Sequence, residues 1–569
     1  MLSRAMLRGL TGSTRVLVQM VLTLGAVACL LAPAPAPAAK NSVGVDLPQD
    51  AAPSGKQTIR VMGREGTYLD YTKTTWKRQW EPALVQEPLT RRNHQYEVEP
   101  AGAERWEISK DGLTWTFHLR KGMVWSDGTP LTAYDYEFAI RRVADPKTGF
   151  DVGWYWGAIK NLMPAWKGEV PVESVGVKVV DNLTLQVTTE KPTPYLAMQI
   201  ADMHAVPKHV VEKLGDAWAT SEATYVSSGP FVLEKWDKGK MVVYAANPKY
   251  NGPWKPYLER IIYLVGRDEA VFPAYLSGEI DAMEEVYEGA LSPGDQAMLQ
   301  SDPKLKQQLH TYPNFMTWWI AFGGEGTAFK DPRVRKAFGH AIDREAIINS
   351  ALRGQAVPAY GLLPPGFHCA NPQRLKDAQK FDVTQARKLL ADAGYPGGKG
   401  FPQYTLYLRE ASPTIKTAAE GIQAMIKQNL GIELEIQNLE RKTFMDRLNK
   451  YELPIVVIPW DMDYYDASNF MDVYRAGGRH PWGNAEYDTL IREANGLMGD
   501  EKKRCTVYQK AEELLVSDPG AVFLWHPTAM QVWDDNKIGG KVLQPNKFGL
   551  TTWFKPEKGS TIYKIYMKK

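Results

Sequence analysis

Residues 457–470 read VIPWDMDYYDASNF. Three carboxylates, Asp461, Asp463 and Asp466, stand there among Trp460, Tyr464, Tyr465 and Phe470, with no basic residue in the stretch. A carboxylate withdrawn from water needs a cation or hydrogen-bond donors, so the pattern admits three kinds of chemistry. Paired acids such as Asp461 and Asp463 suit glycoside hydrolysis. An acid here can instead cap a helix starting near Ala467 or pair with a distant arginine, and Asp466 is the better cap. Asp463 can also meet a cation that arrives with a ligand, as the free amine of a peptide would at neutral pH.

The elements that must position these acids can be read nearby. LPIVVIPW is an apolar strand, and an acid just past the end of a buried strand sits where ligands enter an α/β lobe. NFMTWWIAFG is a second strand, on which alternation sends Trp318 and Trp319 to opposite faces, one toward a core and one toward a cleft. GWYWGAI offers Trp154, Tyr155 and Trp156, either for stacking on a ligand or for packing between lobes. GLTWTFHLR alternates as a strand does, and VESVGVKVVDNLTLQVTT forms two strands joined around Asp181 and Asn182. TAYDYEFAIRRVA is a helix with Thr132 as its cap, and DPRVRKAFGHAIDREAIINSAL is helical. DVTQARKLLADAGY is a helix capped by Asp382 or Thr384 and ended by Gly394.

The chain has 569 residues, more than one hydrophobic core organises, so two or three lobes are expected. Residues 1–38 carry Arg4, Arg8 and Arg15 ahead of the apolar run VLVQMVLTLGAVACLLA, then small residues, which is the pattern of a signal peptide cut after Ala38. A rival reading anchors lipid at Cys29, but Ala26 stands where a large aliphatic residue is usual. Without that leader the chain holds 65 basic and 65 acidic residues. Nucleic acid and anionic membrane both select a basic footprint, so neither fits as a partner. No later stretch is apolar enough to span a bilayer.

Motifs for catalysis are missing: there is no Gly-x-Ser-x-Gly elbow, no His-Glu-x-x-His and no phosphate-binding glycine loop. The nine histidines form no cluster, and neither a metal nor a cofactor is expected. Cys369 and Cys505 lie 136 positions apart; they are either one disulfide of an oxidising compartment or two free thiols.

From Trp106 to Gly149 the chain reads WEISKDGLTWTFHLRKGMVWSDGTPLTAYDYEFAIRRVADPKTG. This closely resembles the signature of the peptide-binding solute receptors of ABC importers, the family that includes the oligopeptide- and dipeptide-binding proteins. The likeness lies in Phe117 to Arg120, Trp125 to Ala133 and Asp145 to Thr148. It continues in order through VPKHVVEKLGDAW, SSGPFVLEKW, NPKYNG, LSGEIDA, ARKLLADAGY and DTLIREA. The signature block itself reads as scaffold, with Gly112, Gly128 and Pro130 suiting tight turns.

The resemblance implies an α/β, three-lobed, type II periplasmic-binding-protein-like fold with an extra small domain, closing around a ligand cleft. It implies a linker at 39–56, a first domain built from 57–99, 221–315 and 541–569, a small inserted lobe at 100–220 and a third domain at 316–540. The implied function is a periplasmic, monomeric receptor that hands short peptides to an ABC transporter permease in the inner membrane; the alternative is a non-peptide solute such as an oligosaccharide, an opine or a chelated metal. By the family's Trp-x-x-Asp pattern, Trp460 and Asp463 match, and Asp463 is the implied partner of the ligand's α-ammonium, with Tyr464 beside it. The ligand-binding set is Asp463, Trp460, Tyr464, Asp461, Tyr155, Trp154, Trp156, Trp319 and Trp318. No motif assigns the residue for the ligand's C-terminus: Val457 stands where an arginine is found in the family, which leaves Arg409 and His368 as nominees. Ala467 departs from the family's proline.

Overall fold

The computed structural model describes residues 39–74, 82–286, 291–323, 326–547, 549 and 561–569. The expected leader, with Cys29, lies outside the described residues.

Two four-stranded sheets share one core. In the first, Thr58–Gly63 runs parallel to Arg260–Val265, followed by Met241–Ala246 and Phe231–Asp237 in antiparallel order. The second is antiparallel throughout, in the order Ala103–Ile108, Thr114–Leu119, Thr184–Thr188, Val177–Asp181. On Thr114–Leu119 every second residue is buried, placing Trp115, Phe117 and Leu119 inward, as a sheet with one wet face requires. The helix Ala133–Ala144 covers this sheet. Its start is fixed by Asp135, whose carboxylate accepts the Thr132 N–H at 2.8 Å.

A larger sheet of eight strands builds the other half of the cleft. Met316–Phe322 lies between Ile455–Asp461 and the long strand Ala521–Trp533, antiparallel to both. Tyr404–Arg409 runs parallel to Ile455–Asp461 on its other side, and Leu434–Leu439 runs parallel beyond it. The central strands Met316–Phe322 and Ile455–Asp461 are apolar at nearly every position because the sheet is covered there on both faces, whereas the outer strand Leu434–Leu439 exposes Glu435, Gln437 and Asn438 in part or in full. Val456 and Ile458 feed one core with Phe470, Tyr474 and Tyr508, while Ile455 and Val457 feed another with Leu406, Ile422 and Trp525. The helix Val383–Asp392 is capped by Asp382, which accepts the Gln385 N–H at 2.9 Å, and Gly394 follows it at φ 97°, a conformation that favours glycine.

Residues 39–56, expected as a linker, are tied down. Asn41 Nδ2 donates to the Pro256 carbonyl at 2.7 Å, Leu47 is buried, and Ala51 bridges to Lys568. The cysteines are joined as a Cys369–Cys505 disulfide, which settles the two alternatives left open by their spacing. No helix among the described residues is long and apolar enough to cross a membrane.

Candidate functional site

The strand Ile455–Asp461 delivers Trp460 and Asp461 to its C-terminal end, opposite Thr317 and Met316 of the neighbouring strand. Asp461 turns back and accepts the following N–H, that of Met462, at 2.9 Å. Past the strand the chain makes a tight loop held by Asn469, which sits in the short helix Ser468–Met471. Asn469 Nδ2 donates to Asp463 Oδ2 at 2.8 Å, and its Oδ1 accepts both the Asp463 N–H at 3.0 Å and the Trp460 Nε1–H at 3.2 Å. One buried amide thus fixes the carboxylate, the backbone and the indole together.

Asp466 is differently employed. It accepts two bonds of 2.6 Å from Arg504 and a third, 2.9 Å, from the Ser468 N–H. Arg504 holds its carboxyl below the usual range although burial alone would raise it. The ion pair considered for Asp463 is therefore made by Asp466, which anchors the loop to the helix Glu501–Ser517. His368 supports the same loop. Its Nδ1 accepts the Ala467 N–H at 2.9 Å, which leaves the ring proton on Nε2, in contact with Glu501. His368, Cys369, Glu501 and Cys505 place donor atoms within 4.8 Å of one another, but the sulfurs are spent in the disulfide and the imidazole is protonated on the side that would face an ion.

Across the cleft, the other half of the molecule reaches Asp463 through its main chain. Arg92 Nη1 donates to the Asp463 carbonyl at 3.0 Å, and the Tyr155 hydroxyl oxygen lies 3.5 Å from the same carbonyl while donating its proton to Asp202. Arg92 and Tyr155 are both held by Asp202. The Tyr464 ring stacks on Tyr195 at 5.5 Å and meets Tyr155 edge-on at 5.9 Å, and its hydroxyl pairs with Ser468 Oγ at 3.1 Å. Trp154 is exposed and stands 6.0 Å from Trp460.

Three of the expected aromatics lie elsewhere. Trp156 is buried and gives its Nε1–H to the Gln199 carbonyl at 3.2 Å, a packing role. Trp319 is fully buried and meets His480 through Nε1 at 3.3 Å. Trp318 stacks on Trp525 at 5.7 Å on the opposite face of the sheet. The alternation expected for this strand is present, but cores cover both faces, so among the described residues neither indole has a ring contact with Trp460 or a hydrogen bond to Asp463.

The charge state of Asp463 follows from its setting. Burial is the largest influence and, with Asp461 and Asp202 adding like charge, pushes its carboxyl up to about 7; the Asn469 bond and the Arg479 charge pull the other way. Arg479 lies over the Trp460 ring, its guanidinium carbon 4.5 Å from the centroid. Arg409 is the last residue of the strand Tyr404–Arg409 and reaches Met445 Sδ at 3.9 Å. Both arginines are lowered to about 10, chiefly by burial; the Arg441 and Arg479 charges add to this at Arg409 while Glu410 opposes them, and Asp463 opposes it at Arg479.

Arg92, Asn469 and Arg479 were not anticipated from sequence. Asn469 had a usable signal, being six residues from Asp463 on a loop that must return. Arg479, in the glycine-flanked GGRH, had none, since loop geometry carries no periodicity. The assembled site has an under-compensated carboxylate, two arginines and an aromatic wall. It can receive a cation and an anion.

The profile described as "Bacterial extracellular solute-binding proteins, family 5 Middle" matches residues 97–481. The periplasmic oligopeptide-binding protein OppA of Salmonella typhimurium is 30% identical over 442 residues, covering 75% of this chain and 79% of that protein. A probable deoxycholate-binding periplasmic protein, YgiS of Escherichia coli, is 32% identical over 431 residues, covering 74% and 78%. Among solved structures, the murein tripeptide binding protein MppA of Escherichia coli superposes with a TM-score of 0.70 at 26% identity, covering 91% of this chain and 100% of that one. The match spans both halves of the cleft and ends just past Arg479. The chain belongs to the bacterial extracellular solute-binding proteins of family 5.

Proposed function

We propose that this chain is a periplasmic receptor that captures short peptides and delivers them to an ABC import permease in the inner membrane, acting as a monomer. The observation that carries this reading is Asp463, an acid just past the strand end facing the other half of the cleft, with its carboxyl pushed up to about 7 by burial and by the neighbouring acids Asp461 and Asp202. A peptide's α-ammonium supplies that charge. Trp154, Tyr155, Trp460 and Tyr464 wall the same space, and Asp461 adds negative potential beside Asp463. Relatives named for oligopeptides and for a murein tripeptide support the ligand class. Binding closes the two halves about the ligand, a shift in population set by the ligand's preference for the closed form. No step of catalysis is assigned: Asp463 and Asp461 serve as a cation receptor.

The test is to purify the exported protein without added ligand, denature it and identify the released small molecules by mass spectrometry. Short peptides with free amino termini are expected. A second reading, an anionic non-peptide solute, is favoured by Arg409 and Arg479 and by the relative named for deoxycholate. Release of a single carboxylate without an amine would establish it in place of the first.

A further inference from the structure

Four donor side chains of different chemistry converge behind the loop that carries Asp463. His368 and Cys369 are neighbours on one segment, while Glu501 and Cys505 lie one turn apart on the helix Glu501–Ser517. Cys369 Sγ is 3.5 Å from His368 Nε2 and 3.9 Å from Glu501 Oε1; Cys505 Sγ is 3.9 Å and 3.6 Å from the same two atoms. A tetrahedral zinc ion, with bonds of about 2.3 Å to sulfur and about 2.0–2.1 Å to nitrogen and oxygen, sets each such edge at about 3.6 Å. Four of the six edges of that tetrahedron are therefore in place. The remaining two, sulfur to sulfur and nitrogen to oxygen, are closed by the disulfide and by the His368–Glu501 hydrogen bond.

The two segments are also tied together without the disulfide. From the helix that carries Glu501 and Cys505, Gln509 Nε2 donates to the Cys369 carbonyl at 3.0 Å, and Glu512 Oε1 accepts the Leu363 N–H at 2.9 Å. The Tyr465 hydroxyl donates to the Gly366 carbonyl at 3.0 Å. Breaking the sulfur bond thus leaves the donors facing one another, free to part by the small distance an ion needs. Outer partners are present too: His368 Nδ1 is 3.6 Å from Asp466 Oδ2, and Glu501 Oε2 is 3.6 Å from Arg504 Nη1. The Glu501 side chain is 61% exposed, which gives an ion a way in from solvent.

We propose that the Cys369–Cys505 bridge is the closed state of a redox-gated zinc site, and that reduction by a dithiol turns Cys369, Cys505, His368 and Glu501 into its four ligands. The dithiol passes two electrons and two protons to the sulfurs, which part as thiols, and leaves as a disulfide. Zinc displaces both thiol protons to solvent and binds Nε2, whose proton relocates to Nδ1, facing Asp466. Two thiolates, an imidazole and a carboxylate suit this borderline-soft ion. Loading takes the acceptor away from the Ala467 N–H, so the site communicates with the loop that carries Asp463.

The full exported chain, reduced with dithiothreitol and desalted without oxygen, is titrated with zinc chloride, and with cobalt chloride as the optical probe. One ion per chain is expected, bound at least about 100-fold more tightly than by the oxidised protein, with thiolate-to-cobalt charge transfer and the visible bands of a tetrahedral ion. His368→Gln and Glu501→Gln keep both cysteines and should each weaken zinc about tenfold or more. Zinc should raise the melting temperature of the reduced chain by more than that of Cys505→Ser under the same reductant. If the reduced chain unfolds without metal, it is reduced with zinc present and followed by circular dichroism: retention of the fold supports the site, and unfolding despite zinc overturns it. Equal zinc affinity of the reduced and oxidised forms also overturns it, as does wild-type affinity when His368→Gln and Glu501→Gln are combined.

Discussion

Asn469 grips Asp463 at both ends, donating to its carboxylate at 2.8 Å and accepting its backbone N–H at 3.0 Å. The same amide oxygen takes the Trp460 indole. Asn469→Ala removes the donor that favours the ionised acid, and leaves the indole and the Asp463 N–H without their acceptor. Peptide affinity is expected to fall about tenfold or more, at a cost in line with one hydrogen bond to a charged group. Calorimetry on the variant measures it, with Asn469→Asp expected to fare worse because it sets a second acid beside the first.

Asp463→Ala should weaken peptide binding by about a hundredfold or more, as expected when one partner of a desolvated ion pair is truncated. The contrast with its neighbour is the sharper measurement. Asp466→Ala strands Arg504, which is buried, and should cost about 3–5 kcal/mol of folding stability. Denaturant titration of the two variants is expected to separate an acid that serves the ligand from one that serves the fold.

Asp463 also sets a pH dependence with opposite signs for stability and binding. Its folded carboxyl titrates at about 7, above the ordinary carboxylate value, so the folded protein binds more protons than the unfolded chain between about pH 4 and 7. Its contribution to the stability of the empty protein therefore declines as pH rises through that window. Asp463→Asn should raise the melting temperature at pH 8 and leave it unchanged at pH 4. An ammonium ligand needs the ionised acid, so affinity should fall by about tenfold per pH unit below about 7, with a proton released on binding. Titrations in buffers of different ionisation enthalpy count that proton. The groups acting on Asp463 are Asp461, Asp202 and Arg479.

Much of this arrangement was legible in the sequence, and the limits are physical. The strand LPIVVIPW, its acidic end and the Trp-x-x-Asp spacing placed Asp463 correctly at a strand terminus because strand polarity and hydrophobic runs are local properties. The separation of Asp463 from Asp466 was not legible: both are acids on one loop, and Arg504, 38 residues further on, decides between them. Trp318 and Trp319 illustrate the same limit. Alternation fixed their opposite faces, but whether a face meets solvent or a second layer depends on helices far along the chain, such as Pro413–Leu430, which packs its Ile422 and Ile426 in the core that receives Trp318. Arg92 lies 371 residues from the carbonyl it holds.

Cys369–Cys505 closes a long loop around the segment that carries the site. Cys505→Ser, or reduction, should lower folding stability by about 2–5 kcal/mol, the usual worth of a bridge across a long loop. It should also loosen His368, the neighbour of Cys369 that supports the Ala467 N–H. Thermal melts with and without reductant, each repeated with saturating peptide, test both effects; the ligand-induced shift is expected to shrink along with the baseline.

Trp154 and Trp460 come from opposite halves of the molecule and meet at 6.0 Å. Two indoles at that distance share their excited states, and a cation lying on one of them, as Arg479 does on Trp460, shifts its emission. The protein consequently carries an optical gauge of its own opening, readable without attached dyes. Exchanging Trp154 for phenylalanine leaves the other tryptophans in place and silences that one signal.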